Sequence, residues 1–132
     1  MSRSAAWATM VAVLIVSGCA SQDPDRPRAS NPGQQCFFAG NVSNFTAVDA
    51  STVNIRVGSD VYRLDLMSSC RNVNWNNRLS LASRTGSSIC TGAGFGTTLI
   101  SRGVSGQQRC QVHRVTLLTP AEVEALRPRD RP

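Results

Sequence analysis

The sequence predicts a mainly β protein: a single small antiparallel β-sandwich or partly open barrel with a short C-terminal helix, stapled by two disulfides. Three observations predict it. Thr52–Val57 and Asp60–Leu66 alternate polar and apolar residues, the mark of half-buried strands. Cys36, Cys70, Cys90 and Cys110 form an even set within the segment that folds. Thr119-Pro120-Ala121-Glu122 supplies a capping threonine, a proline at the first helical position and a glutamate that reaches back.

The elements follow in chain order. Residues 36–48 read as one long strand whose parity slips: Cys36, Phe38 and Val42 share one face, Phe45 and Ala47 the other. One bulge near Ser43-Asn44 reconciles them. A turn at 48–51, where Asp49 serves local hydrogen bonding, leads into a hairpin. A two-residue Gly58-Ser59 turn pairs Ile55 with Tyr62 and Val53 with Leu64 on one face. A three-residue turn would oppose Ile55 to Arg63 and mix the faces, so the tight turn is expected. Residues 72–77, four asparagines around Trp75, read as a loop or one irregular helical turn. Shorter strands are expected at 78–83, 87–90 and 97–101, with turns at 84–86 and 102–106. The closing strand, 110–118, slips again: Cys110 and Val112 share one parity, Val115 and Leu117 the other, with the break at His113-Arg114. The helix should end at Leu126.

The termini read differently. A basic start, Met1-Ser2-Arg3-Ser4, precedes a 12-residue apolar run at 5–16. Crossing a bilayer takes roughly 20 apolar residues, so this is a signal segment and not a membrane helix. It ends in Val16-Ser17-Gly18-Cys19, small residues closed by a cysteine, the pattern of a bacterial lipoprotein signal. Residues 1–18 are then removed and Cys19 becomes the acylated (palmitate-bearing) first residue. Ala20 follows Cys19 where an aspartate would retain the protein at the inner membrane. The expected location is therefore the periplasmic face of the outer membrane. Residues 19–35, with Pro24, Pro27, Pro32 and Gly33, form a flexible tether. Its 15 residues from 21 to 35, fully extended at about 3.1 Å per residue, reach roughly 45 Å. Residues 36–126 form the β-domain, and 127–132, arginines among Pro and Asp, a disordered tail.

Lipidation of Cys19 leaves four cysteines, and an exported chain places them in two disulfides. Three connectivities are possible. If the first and last long strands are neighbours, the pairs are Cys36–Cys110 and Cys70–Cys90. A metal site is disfavoured, because no cysteine pair has two-residue spacing and His113 is the single histidine. No cofactor is implied. Residues 92–96 resemble a glycine phosphate loop, but the third glycine comes too early and no helix pattern follows. Asn41-Val42-Ser43 and Asn44-Phe45-Thr46 match the glycosylation acceptor pattern by chance in such an envelope. Cys110 and His113, three apart on a strand, face opposite sides unless a bulge intervenes, and a disulfide takes the thiol. Within 36–118 the acids are Asp49, Asp60 and Asp65, too few and too dispersed for a two-carboxylate hydrolase.

Charge is more informative. In the same segment eight arginines face these three acids, leaving +5 with His113 neutral. A solvated basic surface is the simplest account. The functional one is contact with anionic envelope lipid or peptidoglycan, whose phosphates and carboxylates suit arginine forks. Arg56 and Arg63, on the outward face of one hairpin, are the candidate ligand-binding residues. Nucleic acid fits the charge but not the compartment. The expected function is non-catalytic: an envelope binding or structural module. An accessory subunit docking onto an envelope protein complex is the alternative, and an enzyme of unknown class ranks third.

The lipoprotein signal, short tether, four cysteines, Ile89-Cys90 and closing Cys110-Gln111-Val112 strand together resemble an uncharacterised family of small bacterial lipoproteins, a domain of unknown function. That resemblance spans about 36–126 and implies no activity and no catalytic residues. Small lipoprotein inhibitors of lysozyme share an anchor, a barrel and disulfides, but their target is cationic and would repel a domain at +5.

Overall fold

The computed structural model describes residues 33–71, 73 and 78–132. The expected signal, Cys19, most of the tether, and the asparagine-rich loop apart from Val73 lie outside the described residues. The strands are β1 (Cys36–Phe38), β2 (Val42–Ala47), β3 (Thr52–Val57), β4 (Asp60–Leu66), β5 (Leu79–Ser83), β6 (Ser88–Cys90), β7 (Gly92–Ala93), β8 (Thr97–Gly103) and β9 (Gly106–Leu117). One helix, α1 (Pro120–Ala125), follows.

The main sheet runs β2-β3-β4-β9-β8-β5, antiparallel throughout, and curls into a half-barrel to which β7 adds beside β9. Its β3–β4 hairpin has the expected register, Ile55 opposite Tyr62 and Val53 opposite Leu64. Gly58 supplies the left-handed φ of +60° that so tight a turn requires. Both parity slips are bulges. Ser43 is the extra residue between Val42 and Asn44 against β3, and His113 the extra residue between Val112 and Arg114 against β4. The β8–β9 turn is tighter than expected: the strands pair through Gly103 and Gly106, leaving Val104-Ser105 as the loop.

The core fills the inside of the half-barrel. Val53, Ile55, Leu64, Leu99, Val112 and Val115 are fully buried there. The remaining side is closed by β1 and β6, a separate two-stranded ladder. Its paired residues Phe37 and Ile89 enter the core, and the Phe37 ring lies 4.6 Å from that of Tyr62. The same burial, aided by the Asp60 charge, raises the Tyr62 hydroxyl above its ordinary value. Phe38, one residue on, is 57% exposed.

Both disulfides differ from the expected pairing. They are Cys36–Cys90 and Cys70–Cys110, not Cys36–Cys110 and Cys70–Cys90. The reason is that residues 36–48 are not one strand. A 3-10 turn at Ala39–Asn41 breaks them, so β2 enters the main sheet while β1 crosses to β6. Cys36 then lies directly opposite Cys90. β9 sits in the middle of the sheet next to β4, whose exit leads to Cys70, and Cys110 points inward toward it.

The two ends of the domain are also more structured than expected. Gln34 and Gln35 are not tether: Gln35 exchanges hydrogen bonds with Thr91, and the Gln34 amide donates to the Thr91 carbonyl. Residues 127–132 are not disordered but lie on the outer face of the sheet. Three successive carbonyls accept side-chain donors from β2 and β3: Asp130 from Asn54 (2.9 Å), Arg131 from Thr46 (3.2 Å) and Pro132 from Arg56 (2.8 Å). Arg127 pairs with the buried Asp130 at 2.6 Å. This attachment goes through the tail's backbone, which composition does not reveal.

Helix α1 begins as expected. Thr119 accepts from the Glu122 amide, and Glu122 accepts from the Thr119 amide (2.7 Å) and hydroxyl (2.8 Å). The Thr119 amide, then its hydroxyl, holds the Glu122 carboxyl below the usual glutamate range.

Three outcomes test this fold. Phe37→Ala should lower stability by about 3–5 kcal/mol, because it empties the core beneath β1. Phe38→Ala should change it by less than about 0.5 kcal/mol. Denaturant unfolding of the two variants decides. Mild reduction under native conditions should open the exposed Cys36–Cys90 bond before the buried Cys70–Cys110 bond; alkylation and peptide mapping read the order. Because the folded Glu122 carboxyl is depressed, its stabilisation is full above the unfolded value of about 4.3 and lost as pH falls through the folded one. Glu122→Gln should therefore destabilise the protein at pH 7, and the difference from the parent should shrink as pH falls below about 4.3 in the same unfolding assay.

Candidate binding surface and groove

Arg56 and Arg63 project from the outer face of the β3–β4 hairpin, but that face is not open. Arg56 opposes Asn44 and Val61 in the sheet, and its Nε donates to the Pro132 carbonyl. Arg63 opposes Asn54 and Thr116, and its Nε donates to Asn54 Oδ1 at 3.4 Å. Asn54, wholly buried between Arg63 and the Asp130 carbonyl, joins Arg63 to the tail, which Arg56 contacts directly. Arg63 also lies close enough to Glu122 to help depress its carboxyl. Both arginines are half-buried structural groups in this state.

The other six arginines of the segment, Arg71, Arg78, Arg84, Arg102, Arg109 and Arg114, are exposed. Among the described residues the ion pairs are Arg127–Asp130 and Arg129–Asp130, both in the tail. Among the described residues, none of the eight arginines between 36 and 118 pairs with an Asp or Glu side chain. Asp49 is committed elsewhere: Ser51 donates its amide (2.7 Å) and hydroxyl (2.8 Å) to one carboxylate oxygen. The Ser51 amide is the main reason that carboxyl lies below the usual range.

A groove of about 780 Å³ runs along β9 from His113 to Leu117. It exists because β7 is only two residues long and pairs with Arg114 and Val115 alone. Gln35 and Thr91 form one wall and Phe95, 75% exposed, a rim. The glycine-rich segment at 92–96 is pinned onto the bulge. Gly94 donates to the His113 carbonyl (2.9 Å), and a side chain there would place its Cβ 2.6 Å from Val112 Cγ1. Sequence reasoning noted the parity slip at His113-Arg114 and the glycine run separately. What it missed is that the fold lays one on the other.

The cysteine-nucleophile idea fails on covalent grounds: Cys110 is bonded to Cys70, so His113 has no thiol partner there. Among the described residues, no cluster of three or more His, Cys, Asp or Glu is placed to hold a metal ion. Asp49, Asp60 and Asp65 sit at the turn into β3, the start of β4 and its outer face, with none in the groove.

No curated protein and no solved structure matches the chain. A family match covers residues 2–131 and is to DUF6491, a family of unknown function, to which this chain belongs.

Proposed function

We propose that the chain is a non-catalytic module of the bacterial cell envelope. Acylated Cys19 holds it at the periplasmic face of the outer membrane, and it contacts anionic envelope components there. The anchor and compartment rest on the Val16-Ser17-Gly18-Cys19 signal. The observation that carries the binding role is that, among the described residues, none of the eight arginines of 36–118 pairs with an Asp or Glu side chain. On a surface made for solubility alone, charges of both signs intersperse. Here one sign dominates, and six of the guanidinium groups are exposed and free to meet phosphates or carboxylates. Each contributes only about 1 kcal/mol close to an anionic membrane, so the interaction is additive and salt-sensitive. Arg56 and Arg63 add to this field, at shorter reach while the tail holds them.

Two measurements test the proposal. Intact mass of membrane-extracted protein should show loss of residues 1–18 and added acyl mass, and Cys19→Ala should release the protein from the membrane. An unmodified Cys19 thiol refutes the anchor. Binding to anionic vesicles should exceed binding to neutral ones and fall with salt. Arg102→Gln/Arg109→Gln should weaken it up to about thirtyfold at low salt, two charges at about 1 kcal/mol each. Arg56→Ala/Arg63→Ala should weaken it less. Equal binding to neutral and anionic vesicles rejects the electrostatic role.

A further inference from the structure

We propose that the groove along β9 is a phosphate-binding site for the headgroup of an anionic phospholipid, with His113 and Arg114 as its polar contacts and Phe95 as its apolar rim. This rests on the reading that the surface meets anionic material, and it names the place and the chemistry.

The bulge makes the site. In a regular strand His113 and Arg114 point to opposite faces. The extra residue in β9 breaks that alternation, and both residues are exposed and both belong to the lining of one groove. Bulges re-aim side chains in this way, and they are common beside functional sites. Arg114 is uncommitted: Asp65 is its register partner on β4, yet no ion pair joins them. Among the described residues the groove lining itself contains no carboxylate. A guanidinium fork with an adjacent imidazole matches the oxygens of a phosphate.

The rest of the groove fits the remainder of a lipid headgroup. The half-buried Leu117 borders it, and Phe95 stands at the edge on a loop that Gly94 holds against Val112. An exposed aromatic beside cationic groups is the arrangement that settles at membrane interfaces. The volume lies within the usual range for small-ligand sites. Position favours a lipid as well. Gly33 borders the groove, and the 14 chain steps from Cys19 to it span about 43 Å at 3.1 Å each. A peptide strand is the poorer occupant, since beyond β7 the flank of β9 offers only Thr116 and Leu117 for pairing.

The test uses the full chain in nanodiscs of phosphatidylcholine, with or without phosphatidylglycerol. Soluble glycerol phosphate is the free-phosphate probe. Nuclear magnetic resonance follows the His113 ring, the Arg114 Nε–H and the Phe95 ring. All three should shift in phosphatidylglycerol discs, and glycerol phosphate should shift the first two. Arg114→Gln should weaken both responses at least tenfold, whereas Ser80→Ala, at an exposed position of β5, should leave both unchanged. Groove signals that stay unmoved while salt-dependent association persists overturn this site and spare the general function. Loss of all anionic association overturns both. A response to glycerol phosphate without one to phosphatidylglycerol discs overturns the lipid occupant.

Discussion

One extra residue in β9 decides how the rest of the sheet is assembled. β9 is shared by three strands: β8 along its first half, and β4 and β7 along its second. Cys110 and Val112 must face inward in the first half, Val115 and Leu117 in the second, and these pairs differ in parity. An unbroken strand would turn one pair toward solvent. It would lose either the Cys70–Cys110 bond or the buried Val115 beneath β4. His113 absorbs the mismatch, and its own side chain is expelled to the surface. The groove is thus a by-product of closing the core.

The outer face is built on another principle. Its inward neighbours supply the apolar burial, so it carries Thr46, Asn54, Arg56 and Arg63. Covering such a surface with chain demands that every buried polar group find a partner. The tail meets this demand with consecutive carbonyls, and no buried side-chain nitrogen or oxygen is left unsatisfied among the described residues. Asn54 uses its amide nitrogen on Asp130 and its oxygen on Arg63. One amide therefore couples tail docking to the position of an arginine that composition suggested was free.

How much of this was legible in the residues follows from the range of each signal. Alternation around Gly58-Ser59 specifies a hairpin because both strands and their turn lie within 15 residues. The Thr119 cap and both bulges are local parity or side-chain effects, and they were readable for the same reason. The disulfide pairing was not. It depends on whether residues 36–48 stay in one sheet, and three residues of 3-10 turn at Ala39–Asn41 decide that without any apolar signature. The docked tail was illegible because its carbonyls, common to every residue type, make the contact. Of the candidate site, the arginine excess could be counted, but which arginines are free depends on a tail contact 76 residues away. The groove needed the glycine run at 92–96 to be seen lying on the bulge.

If the two surfaces act as proposed, the lack of a readable functional motif in the chain has a physical reason. Binding by unpaired arginines on a rigid sheet is additive, so no single position or spacing is required, and composition alone preserves it. Specificity needs more: two complementary groups fixed side by side, with competing carboxylates kept away. On a β-sheet that juxtaposition is forbidden to consecutive residues unless the alternation breaks. The fold must break it once in β9 to bury Cys110 and Val115 together. The same event sets His113 beside Arg114 in a groove without acids. Core packing and the proposed anion contact thus share one origin, so a change at that bulge should disturb both.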